Sequence, residues 1–269
     1  MIRIFGALIL LVIFAVPAVL GPAWAFFIVV LAVIPVCLYE FYRVGLEKDA
    51  RPLGALGLVG SFLYLYTIYM CSPAESLLTL CGIGAVILIA GLYLFEKGRA
   101  TARQVSFALS GLIYPLGLLS FWILVRNGID GRFWMIFGLL ATFLADVGAY
   151  YVGKNLGRHP LAPRLSPKKT VEGLFGGVAA SILGASLFFF LYPRFLPLEA
   201  SYPLWVIPVL AGAISILDLA GDLSASMYKR DFHVKDMGSL IPGHGGMLDR
   251  MDGVVPVGVF LYFVIRVLQ

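Results

Sequence analysis

"SLLTLCGIGAVILIAGLYLF", residues 76–95, is a run of twenty residues without one charged side chain. In an α-helix, twenty residues span about 30 Å, which matches the hydrocarbon core of a bilayer. Similar runs recur along the chain of 269 residues, of which 61% are hydrophobic and only 13% are charged. Soluble domains contain roughly 45–50% apolar residues. The sequence therefore predicts an integral membrane protein.

The apolar runs predict an all-α, polytopic fold with about nine transmembrane helices. The alternating pattern of a transmembrane β-barrel is absent from the sequence. No long repeat or linker interrupts the chain, so we expect one transmembrane domain over 1–269. Within it, 1–140 supply amino-terminal helices and 141–269 carry the polar motifs. The predicted helices are 4–20, 24–42, 53–71, 76–95, 105–125, 133–153, 173–192, 203–228 and 253–268.

The distribution of Lys and Arg predicts the orientation of these helices. Sixteen of the twenty basic residues lie at the amino terminus or in the connections after predicted helices 2, 4, 6 and 8. Because cytoplasmic loops are enriched in Lys and Arg, we expect the amino terminus and these connections to be cytoplasmic, in the cell's inner (plasma) membrane. The net charge of +5 is then a consequence of topology and does not indicate a nucleic-acid partner.

Three aspartates lie inside apolar helices. Asp146 is in the sixth predicted helix, whereas Asp218 and Asp222 are in the eighth, on the same helix face as Ser226. An ionised carboxylate in hydrocarbon costs several kcal/mol, so such residues face a polar cavity or a partner. Carboxylates are the ligands that Mg²⁺ prefers, and we predict these three as metal ligands. The alternative is that they only hold the helix bundle together, through a hydrogen bond between helices or an Asp–Lys pair.

"GHGGMLDRMDG", residues 243–253, is a polar stretch just before the last predicted helix. Its glycines allow the backbone to come close to a ligand, which suits a metal and phosphate site. We predict that Asp249 joins the metal ligands, whereas Asp252 is assigned to capping the last helix. The other candidates here are His244 and Arg250 for phosphate contacts and Gly245 and Gly246 for substrate binding.

A second basic stretch, "SPKKT", residues 166–170, comes directly before predicted helix 7. Its charges, its hydroxyl groups and the amides of the helix terminus are suited to binding phosphate. An ordinary cytoplasmic cluster of positive charge is the alternative explanation. The candidate substrate-binding residues are Ser166, Lys168, Lys169 and Thr170.

"SMYKRDFHVKDMGSLIPGHGGMLDRMD", residues 226–252, resembles the signature of the phosphatidate cytidylyltransferases, also called CDP-diacylglycerol synthases. The shared pattern is S-x-x-K-R, then K-D, then H-G-G and D-R-x-D. "DVGAYYVGK" and "SPKKTVEGLFGG" resemble other cytoplasmic segments of the family. Residues 1–140 resemble it only in hydropathy and in the "YEF" around Glu40. The sequence departs from the family at Ala225, where Glu is frequent, and at Tyr228, which is usually aliphatic.

The resemblance implies the reaction of CTP with phosphatidate to give CDP-diacylglycerol and diphosphate, in phospholipid biosynthesis. It also implies dependence on Mg²⁺, and it favours K⁺ as a second cation and a homodimer. The residues that it marks as catalytic are Asp222, Ser226, Lys229, Arg230, Lys235, Asp236, His244, Asp249 and Arg250.

Other functions fit the same residues. A CTP-dependent lipid kinase needs the same metal and nucleotide chemistry but transfers a different group. A cytidylyltransferase for another lipid phosphate also needs this chemistry and differs in the acceptor. Aspartates within the membrane also mark cation-coupled transporters. The clustering of the acids with Lys, Arg and Gly, without inverted repeats, favours a nucleotidyltransferase over a transporter.

Overall fold

The computed structural model describes residues 21–240 and 245–268. Seven of the helices in this part are long and apolar enough to cross a membrane. An eighth apolar helix, at the carboxyl end, has 15 residues. The helices are α1 (Ala23–Gly45), α2 (Arg51–Met70), α3 (Pro73–Glu96), α4 (Ala102–Asn127), α5 (Gly131–Leu156), α6 (Val171–Leu191), α7 (Val206–Asp231), α8 (Leu248–Met251) and α9 (Val254–Leu268).

The predicted all-α membrane fold is confirmed. The eight predicted helices from 24–42 onward all have a counterpart whose ends lie within three residues of the prediction. The predicted helix 4–20 lies outside the described residues, so the total of nine is approximate. This agreement has a simple cause, because in lipid a helix must continue until its apolar run ends.

One compact unit lies within Met1–Leu124 and Phe232–Met251. Its helices pack in chain order, α1 on α2, α2 on α3 and α3 on α4. The ring of Phe41 in α1 stacks on Phe107 in α4, with centroids 4.3 Å apart. Phe107 meets the edge of Phe232 at 4.8 Å, which ties the segment that follows α7 to this unit. The single transmembrane domain expected over 1–269, with its parts 1–140 and 141–269, stays a prediction.

Helix α4 contains a π-helical stretch, Leu112–Leu118, that includes Pro115. Proline has no N–H to donate and its ring clashes with the preceding turn of an α-helix. A wider turn accommodates the ring without ending the helix. The apolar run predicts one continuous helix here and gives no sign of this irregularity.

The other unit comprises Val125–Asp231 and Asp252–Gln269, and α5, α6, α7 and α9 form its body. Helices α5 and α6 approach each other through small residues. A Cβ atom on Gly148 would lie 2.6 Å from the Gly176 carbonyl oxygen, and one on Gly177 would lie 2.8 Å from that of Ala145. Glycine is thus required for this close helix pair, a common way of packing helices in membranes.

A short antiparallel hairpin connects α5 to α6 within this unit. Strand β1 (Pro160–Ala162) pairs with β2 (Ser166–Thr170), and Val171 N donates to the His159 carbonyl oxygen at 2.9 Å. The hairpin was not predicted, because its few residues are polar and lack strand alternation. It carries the basic stretch of residues 166–170 directly into the first turn of α6.

The orientation across the membrane remains a prediction from the charge distribution. In a background without the native cysteines, we expect Lys48→Cys, Arg99→Cys and His233→Cys to react with an impermeant maleimide only from the cytoplasmic side. Ala74→Cys and Glu199→Cys should react from the opposite side. All five positions are exposed. Reversed labelling at any one of them would contradict the predicted topology.

Candidate active site

A cavity of about 320 Å³ lies in the unit formed by α5, α6, α7 and α9. Residues of α5, the hairpin, α6 and α7 line it, so segments distant in sequence meet there. Its polar lining consists of Asp146, Tyr150, Ser166, Lys168, Lys169, Thr170, Ser215 and Asp218. The structure thus brings the predicted phosphate-binding stretch to two of the predicted metal ligands. Such a site offers both cationic and anionic groups to one ligand.

An ion pair joins the hairpin to α7. Lys169 Nζ lies 2.6 Å from Asp222 Oδ2, and about a quarter of each side chain is exposed, 27% and 25%. Partial burial reduces the solvent screening that makes a surface pair weak. The neighbouring Lys168 is exposed and lines the same cavity. Of the two adjacent lysines, Lys169 is therefore the one held towards α7.

Asp218 is the most buried of the carboxylates at this site, with 4% exposure. Its Oδ1 atom is buried and makes no hydrogen bond with any residue that the structure describes. The charges of Asp146, Asp222 and Asp252 act on it unfavourably, and the charge of Lys169 opposes them. Burying a carboxylate without a partner is costly, so this position calls for a cation.

Asp252 also belongs to this group of acids. Its Oδ2 lies 3.7 Å from Lys229 Nζ, and its Oδ1 accepts from Gly253 N at 3.0 Å. Burial raises the pKa of the Asp252 carboxyl well above its usual range, and the nearby Asp222 carboxylate raises it further. The sequence predicted only a helix-capping role for Asp252. We call Asp146, Asp218, Asp222 and Asp252 the acidic cluster.

The acidic cluster has the donor chemistry for Mg²⁺, although the ion itself stays a prediction. Within residues 21–240 and 245–268, no three His, Cys, Asp or Glu side chains are arranged so that they could hold a metal without rearrangement. Mg²⁺ commonly binds one or two carboxylates and completes its octahedron with water and substrate phosphates. The buried Oδ1 of Asp218 and the neighbouring carboxylate of Asp222 fit that requirement.

Several predicted site residues lie in the other unit, with α1 to α3. Asp249 Oδ2 accepts from Met237 N at 2.8 Å and from Gly246 N at 3.0 Å, so this carboxylate orders the loop around it. Its assignment as a metal ligand stays a prediction, and His244 lies outside the described residues. The predicted residues in this unit are Lys235, Asp236, Gly245, Gly246, Asp249 and Arg250.

The remaining predicted residues have defined local positions. Arg230 Nε donates to the Leu165 carbonyl oxygen at 3.3 Å, which connects the end of α7 to the hairpin turn. Thr170 Oγ1 accepts from Gly173 N at 3.1 Å and caps α6. Ser226 is partly buried on α7, beside the fully buried Ala225. Their predicted contacts with substrate remain predictions.

Glu40 was missed as a functional candidate. It is 4% exposed in α1, and its Oε2 accepts from Leu248 N at 2.9 Å across 208 positions of sequence. The signal that identified Asp146, an acidic residue inside an apolar helix, applies to Glu40 equally. The resemblance noted its surroundings, but the sequence alone did not show that it faces the polar loop.

Comparison with known proteins gives a consistent result. A family model described as "Cytidylyltransferase family" matches residues 1–268. A phosphatidate cytidylyltransferase of Bacillus subtilis is 33% identical over 244 residues, which cover 89% of this chain and 88% of the relative. One of a Synechocystis species is 34% identical, covering 91% and 89%. One of Brucella suis is 40% identical over 154 residues, covering 57% and 54%.

The contact between α7 and Asp252 can be tested by one glycine substitution. A Cβ atom on Gly221 would collide with the Asp252 carbonyl oxygen. We expect Gly221→Ala to lower the free energy of unfolding by about 1–3 kcal/mol, as overpacking does. Thermal unfolding in detergent measures the change.

Gly212→Ala, in the same helix, is the matched control. Its Cβ atom would meet Ile182 Cδ1 at 3.5 Å, which is ordinary contact. Because Ala favours a helix over Gly by up to about 1 kcal/mol, this variant should unfold at the wild-type temperature or higher. Equal unfolding temperatures for the two variants would contradict the close packing of Gly221 on Asp252.

Proposed function

The chain belongs to the cytidylyltransferase family, and on that premise we propose that it is a phosphatidate cytidylyltransferase. It transfers the cytidylyl group of CTP to phosphatidate and releases diphosphate. The product is CDP-diacylglycerol, an intermediate of phospholipid biosynthesis. The two relatives that match most of the chain carry this enzyme name.

The composition of the cavity wall is the structural observation that most directly supports this function. Lys168, Lys169 and the hydroxyl groups of the hairpin face the same space as Asp146 and Asp218. Lysine, hydroxyl groups and a helix amino terminus are phosphate-binding groups. Carboxylates at the end of apolar helices supply sites for cations. An enzyme that binds a nucleoside triphosphate with its cation, and a lipid phosphate at the membrane, requires both phosphate-binding groups and carboxylates.

The reaction is a displacement at phosphorus. An oxygen of the phosphatidate phosphate forms a bond with the α-phosphorus of CTP, and the bond from that phosphorus to the oxygen bridging to the β-phosphorus breaks. The electron pair leaves with diphosphate. The attacking phosphate is already ionised, so neither a covalent enzyme intermediate nor a general base is required. Catalysis then depends on positioning two mutually repelling polyanions and on stabilising the leaving charge.

Asp218 and Asp222 would hold Mg²⁺, which would supply charge neutralisation for the triphosphate. Asp146 and Asp249 are the further ligands that the sequence proposes. K⁺ is proposed as a second cation from the family resemblance. The fit rests on the buried, unpartnered Oδ1 of Asp218. It also rests on the number of carboxylates that share this part of the unit.

The basic side chains have the complementary role. Lys169 pairs with Asp222 in the absence of ligands. A cation at the Asp222 carboxylate would leave Lys169 available to a phosphate oxygen, so this residue pair would couple the two binding events. Lys229 holds Asp252 in the same way. Arg230, Lys235, His244 and Arg250 are proposed as further phosphate contacts, with Ser226 and Asp236 completing the catalytic set.

We also propose the placement and assembly of the enzyme. The charge distribution supports a cytoplasmic active site in the plasma membrane, where CTP is available. The resemblance alone supports a homodimer.

Two labels of CTP distinguish the proposed reaction from that of a lipid kinase. The purified protein is incubated with phosphatidate in detergent micelles, Mg²⁺ and CTP labelled at either the α- or the γ-phosphorus. We expect the α label to enter the lipid and the γ label to leave in diphosphate. Entry of the γ label into the lipid would identify a kinase and contradict the proposed function.

The adjacent lysines provide a matched pair of variants. We expect Lys169→Ala to raise the KM for CTP or phosphatidate by about tenfold or more, because a charged contact in a half-buried site is worth more than 1 kcal/mol. Lys168→Ala should change KM less, since its side chain is exposed. Steady-state kinetics in mixed micelles measure both. Wild-type kinetics for both variants would contradict a substrate-binding role for residues 166–170. They would then be an ordinary cytoplasmic cluster of positive charge.

A further inference from the structure

Glu40 lies in α1, away in sequence from every residue proposed to contact a substrate. We infer that Glu40 is a positioning residue, whose carboxylate holds residues 237–240 and 245–249 in the conformation that the transfer reaction needs. This inference rests on the proposed function, because these residues include Gly245, Gly246 and Asp249 of the proposed site. We call residues 237–240 and 245–249 together the signature loop.

The carboxylate of Glu40 acts as an anchor for the backbone of the signature loop. It accepts from Leu248 N at 2.9 Å, and a second backbone hydrogen bond comes from Met247. These bonds lie where α8 begins, at the first orphan amides of the helix. A charged acceptor binds such amides more strongly than a neutral one.

The glycines of the loop pack directly on this side chain. A Cβ atom on Gly238 would collide with Oε1 of Glu40, and one on Gly246 would lie 2.8 Å from its Cδ carbon. Gly238 and Gly246, from the two described parts of the signature loop, therefore contact the same carboxylate. With 4% exposure, the carboxylate is shielded from water, which strengthens its hydrogen bonds.

Asp249 completes the arrangement from the other end. Its Oδ2 accepts from Met237 N and Gly246 N, next to the two glycines that contact Glu40. Gly245 has φ of +83°, a conformation that favours glycine, and a Cβ atom there would lie 3.2 Å from Asp249 Oδ2 and 3.3 Å from Asp236 Oδ1. Two carboxylates thus fix one tight loop, and Glu40 is the member that comes from the amino-terminal helices.

Removal of the anchor should release the loop without unfolding the protein. In Glu40→Ala, we expect the amides of 237–240 and 245–249 to lose protection against hydrogen exchange, whereas peptides from α5 to α7 keep theirs. We expect kcat/KM for CDP-diacylglycerol formation to fall by about 10- to 100-fold, as for other residues that orient a ligand-binding group. Glu40→Gln keeps an acceptor for Leu248 N and should restore most of both properties. Glu47→Ala, an exposed position beyond the end of α1, should behave as wild type.

Two results would overturn the inference. One is wild-type kcat/KM in Glu40→Ala. The other is a loss of exchange protection that spreads through α5 to α7, which would make Glu40 a general contributor to stability. The exchange experiment uses no substrate, so its outcome is separate from that of the proposed function. A wild-type protein that transfers no cytidylyl group would contradict the proposed function, and the exchange pattern would still decide whether Glu40 orders the loop.

Discussion

Asp218 lies at 4% exposure with one oxygen that makes no hydrogen bond to a described residue, among three other carboxylates. Placing carboxylates together in a weakly polar setting is one of the costliest arrangements in a membrane protein. Two lysines offset part of this cost, Lys169 at Asp222 and Lys229 at Asp252. The close packing of Gly221 on the Asp252 backbone holds the carboxylates near one another. Two lysine pairs for four carboxylates leave a local deficit of positive charge, and we propose that additional cations bind there.

This deficit suits a reaction between two polyanions. CTP and phosphatidate repel each other, and we propose that cations at the acidic cluster neutralise the triphosphate. Lys169 would then exchange its carboxylate partner for a phosphate. Polar groups that are already oriented before substrate binds need little reorganisation during the reaction. This lowers the activation barrier. The hairpin matters because it places Lys169, in the connection between α5 and α6, beside Asp222 of α7.

Sequence predicted most of the described helices and several of the residues that the structure brings together around one cavity. Apolar runs located the eight described helices that it proposed, because lipid enforces continuous helix over each run. Acids inside such runs identified Asp146, Asp218 and Asp222 for the same reason. Sequence did not predict the hairpin, whose few polar residues carry no periodic signal, or the packing of Phe232–Met251 with the amino-terminal helices. Periodicity contains no information on long-range contacts, so the partner of Glu40 and the true surroundings of Asp252 required coordinates.

The central claim is that the acidic cluster binds a divalent cation, and Mn²⁺ measures this most directly, since its electron paramagnetic resonance signal distinguishes free from bound ion. Without CTP or lipid, we expect the wild-type protein to bind Mn²⁺ and Mg²⁺ to displace it. Asp222→Asn keeps the size of the side chain but removes its charge, and it should weaken Mn²⁺ binding by about tenfold or more. Asp49→Asn, at an exposed position before α2, is the control and should bind as wild type. Equal Mn²⁺ affinity in the wild type and in Asp222→Asn would contradict the account.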